Sequence, residues 1–221
     1  MRLIICYLMS QKTLILIPCC DSKNPGGFPS YDGTSCIVNY LSLNVGRRLM
    51  ELRRQIAIAF GENLGLDVGV ATPETKISYM KAYERYCGNL YNRITKSSWE
   101  KLNNSQNLSL LIVSAFYGIL RHDEFIRNYN RAMNKDKVNG VLLKTWWGKQ
   151  GLCNFLLDYV TKNEIRAVHD FLSINYSEAV WPFQSRAKEL GIKYFIHDYS
   201  GLGSGSNYRR GEDVNRLIQT F

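Results

Sequence analysis

Two short apolar runs constrain this chain more than any other feature. Thr13–Ile17 (TLILI) and Leu110–Val113 (LLIV) are uninterrupted by polar residues and too short for helices. Runs of this kind are expected of central strands covered on both faces. Each breaks at once into small and turn-forming residues. The first leads into Pro18-Cys19-Cys20-Asp21-Ser22-Lys23-Asn24-Pro25-Gly26-Gly27, the second into Ser114-Ala115-Phe116-Tyr117-Gly118. Strands that run out into such loops present residues at the carboxyl edge of an α/β sheet, where ligands bind.

The rest of the chain supplies covering helices and further strands. Cys36–Gly61 places Leu41, Val45, Leu49, Leu52, Ile56 and Phe60 at helical spacing, with Arg47, Arg48, Arg53 and Arg54 expected on the wetter faces. Ala71–Arg93, opened by Thr72-Pro73-Glu74, reads as another helix. Asp123–Tyr129 reads as a short helix or turn, Arg131–Gly140 as a flexible polar link, and Leu142–Val160 as one helix. Ile165–Leu172 and Ile192–Asp198 read as strands, Tyr176–Leu190 and Glu212–Phe221 as helices. The expectation is a single α/β domain over residues 9–221, a mixed, largely parallel sheet flanked by helices. Residues 1–8 read as an N-terminal extension, because Met9 begins a more typical strand-first domain. The apolar stretch there is short and lacks a cleavage site, and no run is long enough to span a bilayer.

The charge balance narrows the partners. Lys and Arg number 28 against 19 acidic residues, a formal charge of +9 in 221 residues. That surplus favours polyanions, nucleic acid first among them, and no membrane partner is expected. The six cysteines, at positions 6, 19, 20, 36, 87 and 153, form no CxxC, and the three histidines are scattered. Neither a metal site nor a disulfide framework follows, and no cofactor is expected. A reduced, cytoplasmic setting does follow. Gly201, Gly203 and Gly205 form a glycine run without a P-loop lysine, which is weak evidence for a nucleotide site.

Candidate site residues gather at the two loop edges. After the first strand, Cys19, Ser22 and Lys23 form a cradle for an anion or polar ligand, Lys23 offering a charge or an amine. Beside the second stand Ser114, Tyr117 and Gly118, followed at once by Arg121, His122, Asp123 and Glu124. Tyr79 and Tyr83 read as packing. Tyr86, Gly88, Asn89 and Tyr91 interrupt the helical pattern and join the candidates. Trp146 and Trp147 read as core. The basic tail adds Arg209 and Arg210. A solvated loop explains the charge run equally well, since most such runs are solvated faces.

Laid out in this order, the residues resemble the YaaA family of peroxide stress proteins. Ile17–Lys23 stands where that family has a Ser-Pro-Ala-Lys-like loop, and Tyr86-Cys87-Gly88 resembles its Tyr-x-Gly segment. Ser114–Arg121, with Tyr129–Arg131 downstream, is similar to its Ser-Gly-Leu-Tyr-Gly-x-Leu-Arg run and Tyr-Arg pair. Trp146-Trp147-Gly148 and Ser173–Tyr176 match two further motifs. The departures are the cysteine-rich first loop and His122-Asp123 after Arg121, where the family tends to have Pro. The Pro18-Cys19-x3-Lys23 spelling also resembles the corresponding loop of archaeosine synthase, in which the lysine is implicated in base-modifying chemistry on tRNA.

Two functional readings follow. The resemblance implies a binding protein of the peroxide stress response, which would hold duplex DNA in a basic cleft. Arg47, Arg48, Arg53, Arg54, Arg121, Arg209 and Arg210 would meet phosphates, with Tyr86 and Tyr117 near the bases. As an enzyme on a nucleobase or nucleotide, it would use Lys23 as nucleophile or anchor and Asp123 or Glu124 as acid/base. Ser114 and Asn89 would then bond the base edge.

Overall fold

The computed structural model describes residues 11–71 and 77–221; the expectations for residues 1–8 and for the Thr72-Pro73-Glu74 helix start lie outside them. A five-stranded sheet organises the described chain. Its centre is β1 (Thr13–Pro18), in which all six residues are buried. β3 (Leu108–Ser114) pairs with it on one side and β8 (Ala167–Asp170) on the other, both parallel. β9 (Lys193–Ile196) extends the sheet in parallel beyond β8, and β4 (Gly118–Arg121) closes the other edge antiparallel to β3. The architecture is therefore the mixed, mostly parallel α/β sheet that the apolar runs predict. In register, Leu16 lies opposite both Leu111 and Asp170, so β1, β3 and β8 release their following loops on one side.

Helices cover the sheet. α1 (Leu43–Ala59) follows a 3-10 turn at Ile37–Tyr40, and Gly46 lets the two pack, because a Cβ there would lie 3.1 Å from the Val38 carbonyl. α3 (Lys96–Asn104) is capped by Thr95, whose side chain accepts from the Ser98 N–H. It packs with the C-terminal helix α8 (Ser206–Thr220). The expected Leu142–Val160 helix is two, α4 (Leu143–Lys149) and α5 (Leu152–Lys162), because Gly151 turns left-handed at φ +76° between them. Tyr176–Leu190 likewise divides into α6 (Ile174–Val180) and α7 (Phe183–Glu189) around Pro182, which has no N–H to continue a helix. Trp147 is fully buried and gives its indole N–H to the Ala115 carbonyl at 2.9 Å.

Three stretches differ in kind from their sequence reading. Tyr79–Lys81 is a strand, β2, followed by the single-turn α2 (Ala82–Arg85). β5 (Phe125–Arg127) is also a strand, where a helix or turn is expected, and it pairs antiparallel with β2. Each is only three residues long, and its ladder is supplied by a segment more than forty residues away, so no local period marks it. The third is the supposed flexible link Arg131–Gly140, which holds β6 (Lys137–Val138) and the turn of a hairpin completed just beyond it by β7 (Val141–Leu142). It turns at Asn139-Gly140, both at positive φ, the geometry hairpins favour. Among the described residues, no helix is long and apolar enough to cross a membrane.

Candidate functional site

The loop leaving β1 is built as one wall of a pocket. Pro18 ends the strand with its carbonyl accepting from Tyr91 Oη at 3.0 Å. Cys19 Sγ lies 3.2 Å from Tyr176 Oη, tying the loop to α6. Lys23 then bridges antiparallel to Tyr86, and the Cys87 N–H donates to the Ser22 carbonyl at 3.1 Å. Buried Arg85 braces the far end by donating to the carbonyls of Asn24, Gly26 and Ser78. Gly88 is required where the two loops meet: a Cβ there would lie 2.9 Å from Cys20 Cβ.

Between these loops opens a cavity of about 300 Å³. Cys19, Cys20, Asp21 and Ser22 line one side, and Gly88, Asn89 and Tyr91 the other. Asn207, from the first turn of α8, completes the rim. Asn89, Ser22 and Asn207 are exposed; the Asn207 Oδ1 accepts from Arg210 Nη1, which leaves its amide N–H groups to face a ligand. Burial pushes the Cys20 thiol up to about 12, which keeps it protonated near neutrality and a poor nucleophile.

The Lys23 ammonium lies behind this wall. Its Nζ donates to the Cys20 carbonyl at 3.0 Å and the Asp21 carbonyl at 3.4 Å, and sits 4.1 Å from the Tyr129 ring centroid. Burial pushes the amine below the ordinary lysine range, against the opposing pull of nearby thiols and Asp21. Tyr129 Oη in turn lies 2.7 Å from Tyr86 Oη and 2.9 Å from Ser114 Oγ, and Ser114 Oγ accepts the Tyr117 N–H at 3.1 Å. Burial raises both phenols well above their usual range, so this chain of hydroxyls stays neutral. Lys23, Tyr86 and Ser114, scattered in sequence, are thus brought together through Tyr129.

Other candidates are not brought there. Arg121 pairs in register with Leu111, and the His122 N–H bonds the Leu110 carbonyl, so the charged run travels back toward the amino end of β3. The reason is the tight return at Gly118 (φ +73°), against which the Trp147 ring packs. Arg121 makes a two-point contact with Asp123, at 2.9 and 3.1 Å, and lies over the Tyr40 ring. Burial alone would raise the Asp123 carboxyl, but Arg121 outweighs it and holds it below the usual range. Asp123 is therefore removed as an acid/base partner for Lys23, and Glu124 with it. Glu124 is fully buried and ion-paired at 2.6 Å with Arg53, itself fully buried.

The expected phosphate-facing arginine stripe is also corrected by Arg53, because its guanidinium donates inward to the Tyr117 and Ile119 carbonyls. Arg47, Arg48 and Arg54 remain exposed on α1. Tyr117 is fully buried and donates to Asp67 at 2.6 Å, so it reaches no ligand. Arg210 is buried against the Tyr199 ring, whereas Arg209 is exposed on α8. A single basic cleft containing all seven arginines does not form.

Tyr129, Tyr176 and Asn207 complete the site without having been singled out for it. The first two stand inside the Tyr-Arg and Ser-x-x-Tyr matches, which was the available signal; Asn207 carried none.

The molecule is thus an α/β protein with a polar pocket at the carboxyl edge of its central strands. A family model described as peroxide stress protein YaaA matches residues 40–202, and the chain belongs to that family. The match takes in Tyr86, Asn89, Ser114, Tyr129 and Tyr176, and begins after the Pro18–Lys23 loop. Among curated proteins, none matches the chain.

Proposed function

We propose that this YaaA-family protein serves the peroxide response by binding nucleic acid, taking hold of a base at the carboxyl-edge pocket. The observation that carries the reading is the pocket itself, about 300 Å³ with polar walls from two braced loops. Its size suits one base, and Asn89, Asn207 and Ser22 offer both donors and acceptors to a base edge. The net charge of +9 supplies the long-range attraction that any polyanion would feel. Duplex DNA is the first polymer to test, and a base held in such a pocket has left its stack. Fluorescence anisotropy with duplex DNA, single-stranded DNA and tRNA across a salt series is the test. Binding to at least one of the three, weakened when Asn89 and Asn207 are both changed to Ala, is expected. Binding indifferent to both substitutions would sink the pocket reading.

A second reading is catalytic, and one observation favours it: the half-buried Lys23 amine, with its affinity for protons lowered, against the Tyr129 ring. Such an amine is closer to a nucleophile than a solvated lysine is. The archaeosine synthase-like spelling of the loop supports base modification or N-glycosidic chemistry. To reach a ligand, Lys23 must exchange its bonds to the Cys20 and Asp21 carbonyls for the pocket. Mass spectrometry of oligonucleotides and tRNA incubated with the wild type and with Lys23→Ala tests this. Any altered base must vanish with the substitution while binding survives.

A further inference from the structure

A second open region shares a rim with the pocket. Tyr91–Arg93 is one 3-10 turn, with Tyr91 on the pocket wall and Arg93 on a neighbouring groove of about 620 Å³. The first turns of α8 repeat the arrangement, Asn207 lining the pocket and Arg209 the groove. The two elements are locked together at Gly211, where a Cβ would collide with the Leu90 carbonyl. The groove also carries Arg216, so three exposed arginines stand beside the base-sized cavity.

Their electrostatic states differ. Arg209 contacts Glu212 and Asp213 at 3.4 and 3.5 Å, and Arg216 contacts Asp213 at 3.3 Å. These are exposed pairs one helical turn apart, of the kind that contributes little and exchanges readily. Arg93 is held differently: its guanidinium carbon lies 3.6 Å from the Tyr208 ring centroid. Stacking fixes the plane of the fork and leaves its N–H edges free to point outward, the geometry that suits a phosphate.

We infer that the pocket's ligand carries a phosphate and that Arg93, stacked on Tyr208, receives it, with Arg209 and Arg216 continuing the anionic path. The ligand class is then a nucleotide, alone or within a strand, and a free base or nucleoside is excluded. The inference rests on the pocket reading above. It assigns the α8 side of the pocket as the face along which a backbone leaves, and it leaves the α1 arginines out of the site.

The test uses the full chain with adenosine, adenosine and guanosine 5′-monophosphates, and a fluorescent single-stranded decanucleotide. Variants are Arg93→Ala, Arg93→Glu, Arg93→Lys, and Asn89→Ala with Asn207→Ala. Because Arg93 is exposed, thermal melting should be unchanged. Losing one phosphate contact should lower the slope of log affinity against log salt by about 0.7 for a single strand. Arg93→Ala is expected to weaken the strand about fivefold to tenfold, Arg93→Glu further, and Arg93→Lys to restore only part. The asparagine variant should weaken binding equally at all salt concentrations. Binding of a monophosphate that depends on Arg93 identifies a mononucleotide as the ligand; binding of the strand alone identifies a polynucleotide. Unchanged affinity and slope in Arg93→Glu would overturn the phosphate assignment. Sensitivity to Arg93→Glu with none to the asparagine variant would overturn the pocket reading, and with it the joining of groove to pocket.

Discussion

Two groups of residues that read as one loop edge in sequence lie toward opposite ends of β3 and behave oppositely in structure. At the carboxyl end, Ser114 joins Tyr129, Tyr86 and the Lys23 amine, uncharged hydroxyls around one cation beside an open polar cavity. Toward the amino end, Arg121, His122, Asp123 and Glu124 crowd together with Arg53, and four of these five are joined as two ion pairs. The denser cluster of charge is the structural one. A buried ion pair with both partners satisfied has nothing left to offer a ligand, whereas polar groups facing unfilled space do. Clustering of ionisable residues in a sequence therefore does not separate support from site; the bookkeeping of partners does.

Four substitutions would break or sharpen that contrast. The largest effect is expected at Arg53. Arg53→Met strands a fully buried Glu124 carboxylate and should lower stability by about 3–5 kcal/mol in urea unfolding, with most of the loss recovered when Glu124→Leu is added. Loss of nucleic-acid binding without loss of stability would move function to that end.

Next comes His122. Burial holds its pKa at about 4, below the ordinary value near 6.5, although Asp123 pulls the other way. Between those values the unfolded chain binds a proton that the folded one refuses, so stability is complete above about pH 6.5 and is lost as pH falls toward 4. His122→Gln should flatten that dependence by about 2–3 kcal/mol in melts from pH 7 to 4. An unchanged slope would show the ring to be solvated.

At the other end, Lys23→Met should alter stability by no more than about 1 kcal/mol, since it removes a desolvated cation together with its two carbonyl bonds. It should nevertheless abolish any turnover while binding survives. A stability loss as large as that of Arg53→Met would make Lys23 a brace for its loop. The smallest effect is Asn89→Ala: melting within about 0.5 kcal/mol of the wild type, and ligand affinity lower by about 1 kcal/mol.

How much of this was legible varies with the kind of signal. β1 and β3 announce themselves, because a strand covered on both faces must be apolar throughout, whereas β8 and the largely exposed edge strand β9 are legible only as shorter, mixed segments. Trp147 as core follows from the size of its side chain, and Gly88 at the meeting of the two loops from the lack of one. β2 and β5 were invisible, since each is paired by segments far away in the chain: β2 with β5 and, at Tyr79, with Phe28. The split helices turned on single residues, Gly151 and Pro182, whose effect depends on whether packing rewards a continued helix. Arg53 was misplaced for a related reason: a charged residue at helical spacing reads as exposed unless its buried partner, seventy-one positions away, is known.

The residues alone determined the class of fold, the two loops at the strand ends, and the basic surplus, because hydrophobic periodicity and turn chemistry act locally. Tertiary structure alone decided which loop faces a cavity, which charges cancel, and that Tyr129, Tyr176 and Asn207 converge on one edge. Those outcomes depend on distances between residues far apart in the chain, and on what burial does to each charge once it arrives there.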